Sequence, residues 1–252
     1  MDQKEFPRRR KRLMDLMGDD SIAIIPTAGL RIRSRDTHFP FRGDSDFTYL
    51  TGFPEPEAVA IIIPGRAQGE FVLFCRERDA KMEIWDGLRA GVDGACRQFG
   101  ADDAFPISDL DDIVPGLLEE KDRIFYTMGQ DAAFDQRVLG WVNEVRRKGR
   151  AGVGAPDQFV ALTHILHEMR LYKSRQEVRT MRQAARISAA AHRRAMSVCR
   201  PGMMEYQLEA ELLHEYMRNG ARSPAYQSIV GGGANGCILH YTENSAELRD
   251  GD

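Results

Sequence analysis

Apolar positions along the chain fall into short unbroken runs that alternate with stretches of helical spacing. Ser21-Ile22-Ala23-Ile24-Ile25 reads as a buried strand ended by Pro26, Ala58 to Ile63 as a second, and Glu70 to Cys75 as a third. The last two are joined through Pro64-Gly65-Arg66-Ala67-Gln68-Gly69, which predicts a hairpin with a moderately long loop. Arg123 to Thr127 reads as a later strand. Between Asp131 and Lys148, the residues Phe134, Val138, Trp141 and Val145 recur at helical spacing, with Asp131 placed as N-cap and Gly149 as the stop. Continuous apolar strands between helices predict an α/β arrangement, a sheet covered by helices on both faces.

The texture changes further on. Gly149 to Pro156 is glycine-rich and reads as the boundary region, followed by a short helix over Thr163 to Leu171. Ser174 to Arg200 then predicts a long helix without Gly or Pro. Val178, Met181, Ala184, Ile187, Ala191, Ala195 and Val198 form its apolar stripe, opposite a basic stripe of Arg175, Arg179, Arg182 and Arg186. Pro201-Gly202 breaks it. Glu205 to Arg218 predicts a second amphipathic helix, with Gly220 as its C-terminal cap. Strands are expected over Tyr226 to Val230 and Cys237 to Thr242. The sequence finishes on an Asp250-Gly251 turn signal with no strand after it. From that we expect a piece of a longer chain, or one that relies on a partner to cover its open edge.

Composition narrows the function classes. The chain has 252 residues, a net charge of −3 and 42% hydrophobic residues, with 29% charged. A pI near 6.1 argues against a dedicated nucleic-acid binder. The basic stripe from Arg175 to Arg194 is accordingly read as a solvated or intersubunit face. No apolar run approaches the roughly 20 residues that span a bilayer, and Arg8 to Arg12 is followed by no signal-peptide core. Four scattered cysteines (Cys75, Cys96, Cys199, Cys237) form no C-x-x-C pair, which leaves reduced thiols and a cytoplasmic setting as the simplest expectation.

Most local motifs fail on inspection. Gly231-Gly232-Gly233-Ala234-Asn235-Gly236 matches G-x-G-x-x-G, but no helix is expected after it, so it reads as a connection with positive-φ freedom. His167-Glu168 and His214-Glu215 lack the second histidine of a zinc helix, since Leu171 and Arg218 stand there. His164 and His167 read as a solvated helix face. His240 lies in or beside a short strand next to the glycine-rich loop, and reads equally as a site residue or a satisfied core histidine. Trp85, in a polar context, reads as boundary packing or as an aromatic contact for a partner or ligand.

Taken together, several segments are familiar. Ser45-Asp46-Phe47-Thr48-Tyr49-Leu50-Thr51-Gly52-Phe53 followed by Glu55-Pro56-Glu57-Ala58, and Glu83-Ile84-Trp85-Asp86-Gly87, resemble the amino-terminal domain of the Xaa-Pro aminopeptidase (aminopeptidase P) family. His167 to Ser174, Cys199-Arg200-Pro201-Gly202-Met203, Gly220-Ala221-Arg222 and Gly236 to Asn244 resemble the opening of that family's "pita-bread" catalytic domain. The ordered set covers nearly the whole chain.

The resemblance implies an amino-terminal mixed-sheet domain over residues 1–172 and an incomplete pita-bread domain over 173–252, α/β and α+β overall. It implies a metallopeptidase that removes the residue preceding proline, with two ions, usually manganese, held by two Asp, one His and two Glu. His240 would contact substrate near the metals. Trp85 would reach into a neighbouring subunit's site within a homotetramer. Asp36, by a looser match of Arg35-Asp36 before Phe39-Pro40-Phe41-Arg42, would stand at the same edge. The family's first metal ligand comes after the turn at Asp250-Gly251-Asp252, so no catalytic or metal residue is expected in this chain, nor peptidase activity from it alone. A prolidase-like dipeptidase and a non-catalytic interaction module are the competing expectations.

Overall fold

The computed structural model describes residues 3–252, which divide into two units, one ending at Tyr172 and one running from Lys173 to Asp252.

The first unit is a three-layer α/β arrangement. Its elements are α1 (Glu5–Met17), β1 (Ser21–Pro26), β2 (Ile32–Ser34), β3 (Thr37–His38), α2 (Ser45–Thr51), β4 (Val59–Ile62) and β5 (Phe71–Cys75). They continue with α3 (Ala80–Asp86), α4 (Gly91–Phe99), β6 (Asp103–Pro106), α5 (Leu110–Leu118), β7 (Arg123–Phe125), α6 (Ala132–Arg147), β8 (Gln158–Val160) and α7 (Leu162–Leu171). The sheet order is β6-β5-β4-β1-β7-β8, with β2 and β3 forming a separate exposed pair. Strand β4 runs antiparallel to both neighbours, whereas the β5–β6, β1–β7 and β7–β8 pairs are parallel. The expected hairpin is therefore present as β4 and β5.

Every residue of β4 and β5 is buried, because both faces of the sheet are covered. Ala23, Ile25, Ala60, Ile62 and Leu73 face Leu13, Leu50 and Leu166 on one side. Ile22, Ile24, Ile61, Val72 and Phe74 face Val114, Val138, Trp141 and Val145 on the other. The N-cap expected at Asp131 is in place: its carboxylate accepts from the Ala133 and Phe134 amides at 2.9 and 3.1 Å. The boundary expected at Gly149 to Pro156 is corrected. The chain returns from that loop to the sheet as β8, paired to β7, and Glu120 Oε1 accepts from the Gly154 amide at 2.7 Å. Glycine content marked a tight loop there rather than a change of unit.

The second unit is built on α8 (Arg175–Val198) and α9 (Glu205–Arg218). A capping box starts α8, with the Glu177 amide donating to Ser174 Oγ and the Ser174 amide to Glu177 Oε2. Arg194 pairs with Glu211 between the two helices, and Gly220 turns the chain after α9 at φ 87°. The strands expected at Tyr226 to Val230 and Cys237 to Thr242 are not formed. Gly233–Cys237 is instead a short 3-10 helix, and the flanking backbone is held by side chains. Only an isolated antiparallel bridge, Met204 to Glu247, has strand character. Among the described residues, no helix is long and apolar enough to cross a membrane.

Candidate functional site

The loop from Gly231 to Ala246 wraps around the first residue of α9. Glu205 is fully buried. Its Oε1 accepts from the Gly232 amide at 2.8 Å and from Asn235 Nδ2 at 3.1 Å. Its Oε2 accepts from the Tyr241 hydroxyl at 2.7 Å and the Ala246 amide at 2.9 Å. Burial pushes this carboxyl up, but the four donors outweigh it and hold the group down at about 2. A second buried polar residue, Asn244, closes the other side. Its Oδ1 accepts from the Val230 amide at 3.0 Å, while Nδ2 donates to Glu209 Oε2 at 2.8 Å and Ser228 O at 3.0 Å. The first segment expected as a strand thus satisfies backbone groups at Ser228 and Val230 through Asn244, while Glu205 holds the backbone at Gly232 and Ala246.

His240 stands on this loop, in a turn after the 3-10 helix rather than in a strand, and it is exposed. That turn is closed by the Tyr241 amide on Ile238 O at 3.3 Å. Within this chain the ring is packed in no core. The glycine-rich stretch offers no dinucleotide cradle. The chain enters a turn, not a helix, after Gly233–Cys237, and the Gly232 amide is already committed to Glu205. Asp252 sits close by, so that a Cβ on Gly233 would fall 2.8 Å from its Oδ1.

In the first unit, Trp85 lies on α3, a seven-residue helix with no buried residue, and is 83% exposed. The expectation of boundary packing fails there. Polar anchors fix the helix. Asp79 caps it through the Lys81 and Met82 amides. Glu83 accepts from Arg78 Nε at 2.9 Å and Nη2 at 2.8 Å, and from the Arg89 amide at 3.1 Å. Ala90 in turn donates its amide to Glu55 Oε1 at 2.6 Å. Asp36 lies in the exposed turn between β2 and β3. Neither its carboxylate nor the Trp85 indole makes a hydrogen bond or ion pair among the described residues. A cleft of about 1040 Å³ opens at the carboxyl ends of β1 and β7, lined by Phe39, Arg42, Glu57 and Asp131, and neither Asp36 nor Trp85 lines it.

Among the described residues, no three His, Cys, Asp or Glu side chains come together as a metal-binding group. The donors present do not fit a pair of divalent ions. Glu205, the most constrained carboxylate, is saturated by amide and hydroxyl donors and aims no oxygen at open space. Sequence reading passed over Glu205, Asn244 and Glu83. A glutamate opening an amphipathic helix looks like an ordinary first-turn acid, and only the long-range fold reveals what it holds.

The aminopeptidase P N-terminal domain model matches residues 6–126, and the metallopeptidase family M24 model matches residues 179–252. The chain thus carries an aminopeptidase P N-terminal domain followed by part of a family M24 metallopeptidase domain. The family's Xaa-Pro aminopeptidase from Escherichia coli (strain K12) is 45% identical over 251 residues, 99% of this chain and 57% of that protein. Aminopeptidase PepP of Pseudomonas aeruginosa superimposes with a TM-score of 0.98 at 60% identity, covering 100% of this chain and 57% of that one. A zinc-substituted E. coli aminopeptidase P in complex with product superimposes at 0.96 with 44% identity, again over 100% and 57%. The chain therefore spans a little over half the length of the family members it matches. The expected mixed α/β fold, with helices on both faces of the sheet, agrees with these superpositions.

Proposed function

We propose that the chain is the amino-terminal domain, residues 1–172, and the start of the catalytic domain, 173–252, of a proline-specific metallo-aminopeptidase. It would release the N-terminal residue from Xaa-Pro peptides in the cytoplasm, as a homo-oligomer. The observation that carries this is the continuity of the match. One superposition at 60% identity runs through both units, including the loop that bears His240 and the helix that bears Trp85.

In this reading His240, Trp85 and Asp36 face substrate. An exposed imidazole on a tied-down loop can exchange hydrogen bonds with a peptide carbonyl. The Trp85 indole offers an apolar face for the pyrrolidine ring, contributed to the site of a second copy. Asp36, unpaired in its turn, can meet the peptide ammonium at the same edge. Proline removes an amide donor and fixes φ, so a dedicated pocket is needed to accept it. The metal pair, manganese in this reading, supplies Lewis-acid chemistry when bound; the described residues do not form its ligand set.

The test is a peptidase assay on the gene product purified from its source, using tripeptides with proline or alanine second. Manganese-dependent release from the proline peptide alone supports the reading. Equal release from the alanine peptide, or cleavage restricted to dipeptides, overturns it. The 252-residue chain by itself is expected to release nothing.

A further inference from the structure

We propose that Glu205 is a positioning residue for His240: its carboxylate pins the glycine-rich loop to the start of α9 and, through the Tyr241 phenol, sets where the adjacent imidazole stands. This rests on the reading of His240 as a substrate-facing residue.

Glu205 is fully buried and forms no ion pair among the described residues. A buried carboxylate without a countercharge is costly unless donors surround it. Here all four donors come from one loop: Gly232, Asn235, Tyr241 and Ala246. The charge is thus devoted to folding that loop. Each oxygen has its own task. Oε1 fixes the glycine-rich end, and Oε2 fixes the end beyond His240. The Tyr241 oxygen links the two ends, since it also accepts from Asn235 Nδ2 at 3.1 Å and from the Ser245 amide at 3.3 Å.

His240 makes no side-chain hydrogen bond among the described residues, and its ring is exposed. Its placement is inherited through one peptide link from Tyr241, whose ring is buried. A residue needed only to fill space would be replaced well by glutamine, which has nearly the same shape. The two-oxygen arrangement predicts otherwise. Glutamine keeps one acceptor oxygen and turns an NH2 group toward the other pair of donors. The Tyr241 hydroxyl can rotate to accept from that group, but the Ala246 amide cannot.

The experiment uses the 252-residue chain, isotope-labelled, as wild type, Glu205→Gln and Tyr241→Phe. Residue-resolved amide exchange and the His240 ring signal are read by NMR, with first-unit amides as the folding control. In Glu205→Gln, exchange at Ala246 should rise by about tenfold or more while Gly232 stays near its wild-type rate. The His240 ring signal should move in both variants, and in the same direction. A His240 signal at its wild-type position in either variant overturns the proposal, as does equal loss of protection at Gly232 and Ala246. The underlying reading is tested separately on the gene product as its source makes it, by comparing wild type with His240→Ala on an Xaa-Pro tripeptide. Unchanged turnover and KM sink the substrate-facing role and leave the Glu205 result standing.

Discussion

Replacing Asn244 by alanine or by glycine separates two costs that this residue carries together. Asn244 is buried and sits at φ 49°, in the left-handed region. Alanine would orphan the buried Val230 amide, at about 1–3 kcal/mol. Alanine keeps a Cβ in this left-handed backbone but lacks the local hydrogen bonding that lets asparagine tolerate it, which adds up to about 1 kcal/mol. Asn244→Ala should therefore weaken the loop by about 1–4 kcal/mol. Asn244→Gly loses the same hydrogen bonds but is relieved of the Cβ at positive φ, so it should recover about 1–2 kcal/mol relative to alanine. The chain has two units, so a single melting transition is not the right measure. Native-state hydrogen exchange at Val230 and its neighbours reads the local opening directly. Protection should fall in the order wild type, glycine, alanine, with the amides of β4 and β5 unaffected. Equal effects of alanine and glycine would show that the positive φ carries no cost. A Val230 amide as protected in both variants as in the wild type would refute the accounting altogether.

The anchoring of α3 should depend on acid in a defined window. Arg78 above all, with the Arg89 amide, holds the Glu83 carboxyl down at about 2 against an ordinary 4.5. Its contribution is complete above the ordinary value and lost as pH falls through about 2. Trp85 fluorescence anisotropy, read in a Trp141→Phe background, should hold at pH 4 and drop toward pH 2, and Glu83→Gln should show the low value at neutral pH. Gly52→Ala should destabilise the first unit by about 2 kcal/mol or more in denaturant unfolding, because a Cβ at φ 65° would fall 2.4 Å from the Phe6 ring. Trp85→Ser should reduce self-association in sedimentation while leaving unfolding of the chain unchanged; unaltered association would remove Trp85 from the contact between copies.

Much of the fold was legible because burial on both faces of a sheet leaves an unbroken apolar run. The hairpin of β4 and β5, the Asp131 cap and the bounds of α9 come from such local rules. Helix α1 did not, for a specific reason. Its inner face includes Arg9 and Arg10, which lie 4.0 Å over the rings of Tyr49 and Phe71. Arg10 also donates to Leu50 O at 3.0 Å and Gly100 O at 3.3 Å. Cations buried this way disguise an amphipathic helix as a basic run. The second unit's loop misled in the opposite sense. Tyr226 to Val230 was read as a strand, yet backbone groups at Ser228 and Val230 are met by the side chain of Asn244 rather than by a neighbouring strand. His240, Trp85 and Asp36 were singled out by motif; the carboxylates that hold two of their segments in place were not, because their partners converge only in three dimensions.

Helix α3 carries its apolar side chains outward and contributes none to the core. Ile84 and Trp85 on the helix and Leu88 just after it are each more than 80% exposed, while the polar anchors at Asp79, Glu83 and Arg78 do the fastening. Folding therefore exerts almost no selection on these three positions. Natural variation at them should track whatever surface they meet, and a library randomised there should yield folded proteins nearly throughout. The rim becomes a place where partner choice can drift at little structural risk, with the sheet beneath it left intact.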